Sequence, residues 1–306
     1  MAPNEQQGRG AHLVFDRAAL RARQRRASAN MPETFLLDRV AGDLLDRLDA
    51  VTRRFEVAAD IGTPGVAVAD VLARHVRVGC VMALRPLPLP ESGNDVFTIV
   101  GDEEALPFGD GSLDLAVSAL ALQFVNDLPG TLAQIRRALR PDGLFLAAML
   151  GGDTLTELRQ AFTEAEAETG GVSPRVAPFA DVRALGGLLQ RAGFALPVTD
   201  VDRVIVRYDT PFALMRDLRR MAATNVLLER RRAPLSRSVI ARMAEIYAQR
   251  FADADGRLRA TFDVIWLSGW TPHESQQQPL RPGSAKSRLA DALGAQEQSA
   301  GEKAGN

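Results

Sequence analysis

The chain has 306 residues, 46% of them hydrophobic, enough to bury a full core in one large domain or two. Lys+Arg 37 against Asp+Glu 38 leaves a formal charge of -1, so no global field directs it to nucleic acid. The single Cys80 excludes an intramolecular disulfide and a Cys-x-x-Cys metal site.

Only Lys286 and Lys303 are lysines, so nearly every cation is an arginine. No segment reads as a secretory signal, and no apolar run approaches the ~18 residues of a membrane span. A cytoplasmic protein without a transmembrane segment is therefore expected, with peripheral membrane contact left open.

Residues 1–11 are polar and glycine-containing and are expected to be disordered. Residues 13–29 form a basic, helical segment whose arginines are expected to be a solvated face. Residues 34–50 carry Phe35, Leu36, Val40, Leu44, Leu45 and Leu48 at helical spacing. Together these make an N-terminal helical segment over 12–50. A first strand then ends in Val57-Ala-Ala-Asp-Ile61 and bends through Gly62-Thr-Pro-Gly65 into a helix near 65–75.

Strands are expected at 76–84, 96–100, 113–120 and 144–150. Pro86, Pro88 and Pro90 interrupt regular structure after the second, and a helix near 130–140 ends at the breaker Arg140-Pro-Asp-Gly143. Continuous apolar strands alternating with helices predict a parallel sheet covered on both faces. Past Gly151 helices dominate, near 153–168, 179–192, 211–230 and 236–252, with strands at 199–208 and 260–267. Asp153, Thr154 and Glu157 read as a helix start with a capping box. The principal domain is placed at 51–274, with a helical insertion at about 211–252 and a largely disordered tail over 275–306.

Several stretches together resemble the class I S-adenosylmethionine-dependent methyltransferase superfamily. They are Gly101-Asp-Glu-Glu-Ala-Leu-Pro-Phe108, Ser118-Ala-Leu-Ala-Leu-Gln-Phe-Val-Asn-Asp-Leu-Pro129 and Leu139-Arg-Pro-Asp-Gly-Leu-Phe145. More specific are Gly151-Gly-Asp-Thr-Leu-Thr-Glu-Leu-Arg159, Gly269-Trp-Thr-Pro-His-Glu-Ser-Gln276 and Arg281-Pro-Gly-Ser-Ala285. These are similar to the branch holding a complex I assembly factor that acts as an arginine hydroxylase, with the malonyl-carrier-protein methyltransferases of biotin synthesis as cousins. The resemblance implies an α/β, Rossmann-like, doubly wound, mostly parallel seven-stranded sheet with the last strand antiparallel, plus N-terminal helices and a late helical insertion. It also implies S-adenosylmethionine as cofactor and a protein substrate or assembly partner, a complex I subunit among the options.

For the cofactor the resemblance points to Asp60, Gly62 and Gly65 at the first turn, and to Asp102 and Glu103 at the adenine end. Pro64 and Val66 stand where the family has glycines, and proline loses an N–H and cannot take a positive φ. Leu84 takes the place of the acid that accepts the ribose hydroxyls, and Arg85 beside it has no acceptor atom. A histidine common in relatives is Gln123 here, which cannot act as a base near neutral pH. No catalytic residue is assigned. Trp270, His273 and Glu274 are candidates for the substrate or partner side. No metal site is expected from three scattered histidines and one cysteine.

Two functions remain open. One is a cofactor-dependent enzyme methylating or hydroxylating a partner protein. The other is a non-catalytic assembly chaperone that keeps the fold around a degenerate pocket.

Overall fold

The computed structural model describes residues 13–88, 96–168 and 171–277. The expectations for residues 1–11, Pro90, Arg281–Ala285 and the end of the tail fall outside them. Contacts divide the chain into two units, 1–272 and 273–306.

The first unit opens with α1 (Arg17–Ala29) and α2 (Phe35–Asp49), followed by β1 (Phe55–Ile61), α3 (Ala67–Arg74), β2 (Val78–Arg85), β3 (Val96–Val100) and β4 (Leu113–Ala119). A single 3-10 turn, Leu122–Phe124, leads into α4 (Leu128–Ala138), β5 (Leu139–Leu150) and α5 (Thr156–Ala167). Then come α6 (Val182–Arg191), β6 (Ala195–Tyr208), α7 (Pro211–Arg220), α8 (Arg237–Phe251) and β7 (Leu258–Trp270).

The strands form one seven-stranded sheet in the order β3-β2-β1-β4-β5-β7-β6. β7 runs antiparallel to both of its neighbours, and the other strand pairs are parallel. Two apolar layers sandwich the sheet, as continuous apolar strands require. One gathers Leu44 of α2, Leu72 of α3, Phe162 of α5 and Met243 of α8 against Phe262 and Trp266. The other packs Leu132 and Ile135 of α4 and Leu185 and Leu189 of α6 against Phe145 and Ile265. The order reverses at β1, whose neighbours β2 and β4 begin the two halves; ligands of such sheets bind beyond the strand ends at that reversal.

Three local expectations are corrected. Arg140-Pro-Asp-Gly143 does not end before a strand but lies inside β5, where Asp142 takes φ 64 and the register with β4 shifts between Leu113 and Leu115. The helix expected over 211–230 stops at Arg220. Ala222 turns to φ 58, and Asn225 Oδ1 accepts from the Leu227 N–H, closing a turn that replaces further helical bonds. The capping box at 154–157 does not form. Leu155 caps α5 in the left-handed region, while Thr154 Oγ1 and Glu157 bond across to Asp263 and Thr261 of β7.

Candidate functional site

β1 delivers Asp60 to the sheet's switch point, and the turn after it is fixed by the two neighbouring strands, β2 and β4. Gly62 N donates to Leu84 O at 2.8 Å, Ser118 Oγ donates to Ile61 O at 2.7 Å, and Thr63 Oγ1 accepts from Ala119 N at 2.9 Å. Gly62 and Gly65 supply the two positive φ angles, 73 and 72, that carry the chain past Pro64 into α3. A Cβ on Gly62 would collide with the Glu103 side chain, whereas Gly65 faces open space. Gly62 is thus needed for a close approach and Gly65 only for its backbone angle.

A cavity of about 430 Å³ opens beside this turn. Gly62, Gly65 and Val66 of the turn line it, together with Leu120, Gln123 and, from α1, Leu20 and Gln24. Its lining is mainly apolar.

The charges around the cavity are arranged unlike a cation-accepting site. At the end of β2 it is Arg85, not Leu84, that lines the cavity, and Leu84 lies in the apolar layer against Gly101. Arg85 is 2% exposed. Its Nη1 donates to the Thr63 carbonyl at 3.1 Å and to the Gly65 carbonyl, while Nη2 lies 3.7 Å from Asp60 Oδ2. Asp60 is 1% exposed, with the Arg85 guanidinium and the Thr63 hydroxyl as its polar neighbours. Burial pushes its carboxyl up to about 6, and the nearby Arg85 charge offsets that only in part.

The adenine-end acids are engaged as well. Arg17 Nη2 reaches both Asp102 Oδ1 and Glu103 Oε2 at 2.5 Å, and Arg21 Nη2 reaches Glu103 Oε2 at 2.5 Å. Burial works to raise the Asp102 carboxyl, yet the Glu104 amide and the two guanidinium groups hold it below the usual range. The expectation that the arginines of residues 13–29 are simply solvated is corrected: Arg17 and Arg21 are largely buried against the acids. Their partners lie 85 and 82 residues away, beyond the reach of local sequence pattern.

Asp60, Gly62, Gly65, Asp102 and Glu103 therefore surround one end of the sheet. Gln123 is buried and donates Nε2 to Leu120 O at 2.8 Å. Trp270 ends β7, opposite Leu144 and Ala195 in register. His273 and Glu274 belong to the second unit, where His273 Nδ1 meets Ser275 Oγ at 2.7 Å. His75, which caps α3, lies 3.2 Å from Asp49. Among the described residues no group of histidine, cysteine and acid side chains is placed to hold a metal, and no helix is long and apolar enough to cross a membrane.

S-adenosylmethionine carries a positive sulfonium, ribose hydroxyls that need acceptors and an adenine amino donor. In this arrangement Arg85 stands at the turn with Asp60 as its counter-charge, among the described residues the end of β2 offers no acceptor side chain, and both adenine-end acids already pair with arginines, Asp102 staying half exposed. The residues as arranged do not fit that cofactor.

Residues 58–147 match the family model of a methyltransferase domain. The chain is 36% identical over 290 residues to the mitochondrial arginine-hydroxylase NDUFAF5 of Danio rerio, covering 91% of this chain and 89% of that protein. It is 35% identical over 261 residues to a malonyl-[acyl-carrier protein] O-methyltransferase of Xylella fastidiosa, covering 82% of this chain and 86% of that one. Among solved structures, a putative methyltransferase from Bacillus halodurans superposes with TM-score 0.52 at 16% identity, over 76% of this chain and 99% of its own, and supports the fold alone. The expectation of a cytoplasmic protein is overturned by these relatives, since the arginine hydroxylases are named as mitochondrial. The sheet order, the methyltransferase-domain match and the near full-length identity place this chain in the methyltransferase superfamily, in the branch that holds the NDUFAF5 arginine hydroxylases.

Proposed function

We propose that this protein serves the assembly of a partner protein, a respiratory complex I subunit, through its methyltransferase fold and without turning over S-adenosylmethionine. The observation that carries this is Arg85. Its buried guanidinium bonds the carbonyls of the turn and lies 3.7 Å from Asp60, so the chain's own cation already occupies the turn and faces its one acid. An incoming cation would compete with Arg85 for that carboxylate in a poorly hydrated site. Loss of the charged hydrogen bonds to ribose removes a further ~1.5–3 kcal/mol.

That relatives are named as arginine hydroxylases supports a partner that presents an arginine. Trp270, His273 and Glu274 are proposed for the partner side. A cofactor-dependent enzyme is the second reading, favoured by the cavity of about 430 Å³ that persists beside Gly62 and Gly65.

The test is deletion of the gene in its own host, followed by native-gel measurement of assembled complex I and peptide mass analysis of the co-purifying partner. The proposed role predicts less assembled complex and no arginine whose mass depends on the gene. An arginine modified in the parent and unmodified in the deletion strain would favour the enzyme.

A further inference from the structure

The cavity beside the turn keeps two polar groups that find no partner among the described residues. Four ionisable side chains of those residues line it: Glu33, Asp70, Arg85 and Arg220. Glu33 pairs with Arg220 at 3.0 Å, and Arg85 has Asp60 at 3.7 Å as its counter-charge. Asp70, in the first turn of α3, differs: its Oδ1 is buried without a hydrogen-bond partner, and no described arginine pairs with it. Gln123 is 8% exposed and donates its amide N–H to Leu120 O, which leaves its Oε1 buried and without a donor as well. Buried acceptors left open cost free energy that a bound donor restores.

Most of the remaining lining is apolar. A second cavity of about 230 Å³ lies against the first, and Phe124, Leu150, Ala223 and Phe262 line both. Leu158 and Phe162 of α5 continue the apolar wall of the second. A carboxylate without a counter-charge at the edge of such a space calls for a cation, and the two open acceptors call for N–H donors. An ammonium brings three donors to them. A guanidinium brings five and would leave most of them buried and unmet.

We infer that this cavity is a binding site for an amphipathic primary amine, its ammonium on Asp70 and Gln123 and its hydrocarbon body along the apolar wall into the second cavity. Such a ligand differs from S-adenosylmethionine in carrying its charge on N–H donors and in having an apolar body in place of ribose and adenine. The inference goes beyond the assembly role and rests on that role only in taking the cavity to be free of cofactor.

Calorimetric titration of the purified full chain at pH 7 tests the head group with n-octylamine, n-octanol, octanoate and n-octylguanidine, and the tail with n-butylamine. n-Octylamine should bind at least ~tenfold more tightly than each of the other octyl probes and octanoate. It should also bind at least ~tenfold more tightly than n-butylamine, which buries fewer methylenes. No heat from n-octylamine at millimolar concentration overturns the site. So does equal binding by the alcohol, the carboxylate or the guanidine, and so does a tail that adds no affinity.

The variant D70N should weaken n-octylamine at least ~tenfold and leave n-octanol unchanged, and unchanged amine binding there overturns the site. A223L, which fills the wall common to both cavities, should remove the advantage of n-octylamine over n-butylamine; an advantage that persists overturns the path of the tail. Where either variant fails to fold, the ranking of probes on the wild type decides. Micromolar S-adenosylmethionine binding by the wild type would overturn the non-catalytic role without altering the amine ranking. A failed ranking in a protein that binds no cofactor would leave that role standing, so the two failures are separable.

Discussion

Replacing Arg85 with methionine tests the charge arrangement at the turn, and its cost should depend on pH. In the wild type Asp60 has a carboxyl pushed from 3.8 up to about 6 by burial. Its folded pKa lies above its unfolded one, so the native state binds more protons between those values and stability falls as pH rises across that window. Raising the carboxyl from 3.8 to about 6 corresponds to about 3 kcal/mol lost by pH 7. Arg85 is the charge that keeps this loss from being larger.

At pH 8 the R85M variant leaves a buried carboxylate unpaired, which costs ~3–5 kcal/mol. At pH 5 Asp60 is mostly protonated, and only the hydrogen bonds to the Thr63 and Gly65 carbonyls are lost, ~1–3 kcal/mol together. Urea unfolding at the two pH values reads the difference, which should be ~2 kcal/mol or more. The companion D60N/R85M should lose about the same at both pH values. An R85M cost that is equal at pH 5 and pH 8 would refute the assignment of Arg85 as the counter-charge to buried Asp60.

Other substitutions probe the same region and its supports. Gly62→Ala should cost ~2–4 kcal/mol in thermal unfolding, because it combines a left-handed backbone with a collision at Glu103, whereas Gly65→Ala should cost ~1 kcal/mol. Leu84→Asp places a carboxylate in an apolar layer and should destabilise by ~3 kcal/mol or more without gaining cofactor binding, alone or with P64G and V66G; recovered binding would show that Leu84 reaches the pocket. Glu157→Ala strands the buried N–H and hydroxyl of Thr261 and should cost ~2–4 kcal/mol, while a cost below ~0.5 kcal/mol would mean that the α5–β7 clamp carries no stability.

The sheet was legible because its strands are long apolar runs: Val57–Ile61 and Leu144–Leu150 can only be buried on both faces. Gly62 and Gly65 stood out on either side of Pro64, and both take the positive φ that a proline cannot. What failed depended on direction or distance. Whether Leu84 or Arg85 faces the cavity is set by the pleat at the end of β2, which residue order alone does not orient. Thr154 and Glu157 have the spacing of a local cap, but partners on β7 over 100 residues away won their hydrogen bonds. Arg17 and Arg21 look like any basic helix face until the fold brings Asp102 and Glu103 beneath them.

The pocket that family resemblance assigns to a cofactor is therefore bordered by the chain's own charges, with Arg85 lining it at the turn and Arg17 and Arg21 paired with the adenine-end acids. Calorimetric titration of the purified wild-type protein with S-adenosylmethionine tests this most directly. The arrangement predicts no binding heat up to millimolar cofactor, and a dissociation constant in the micromolar range, about −8 kcal/mol, would contradict it.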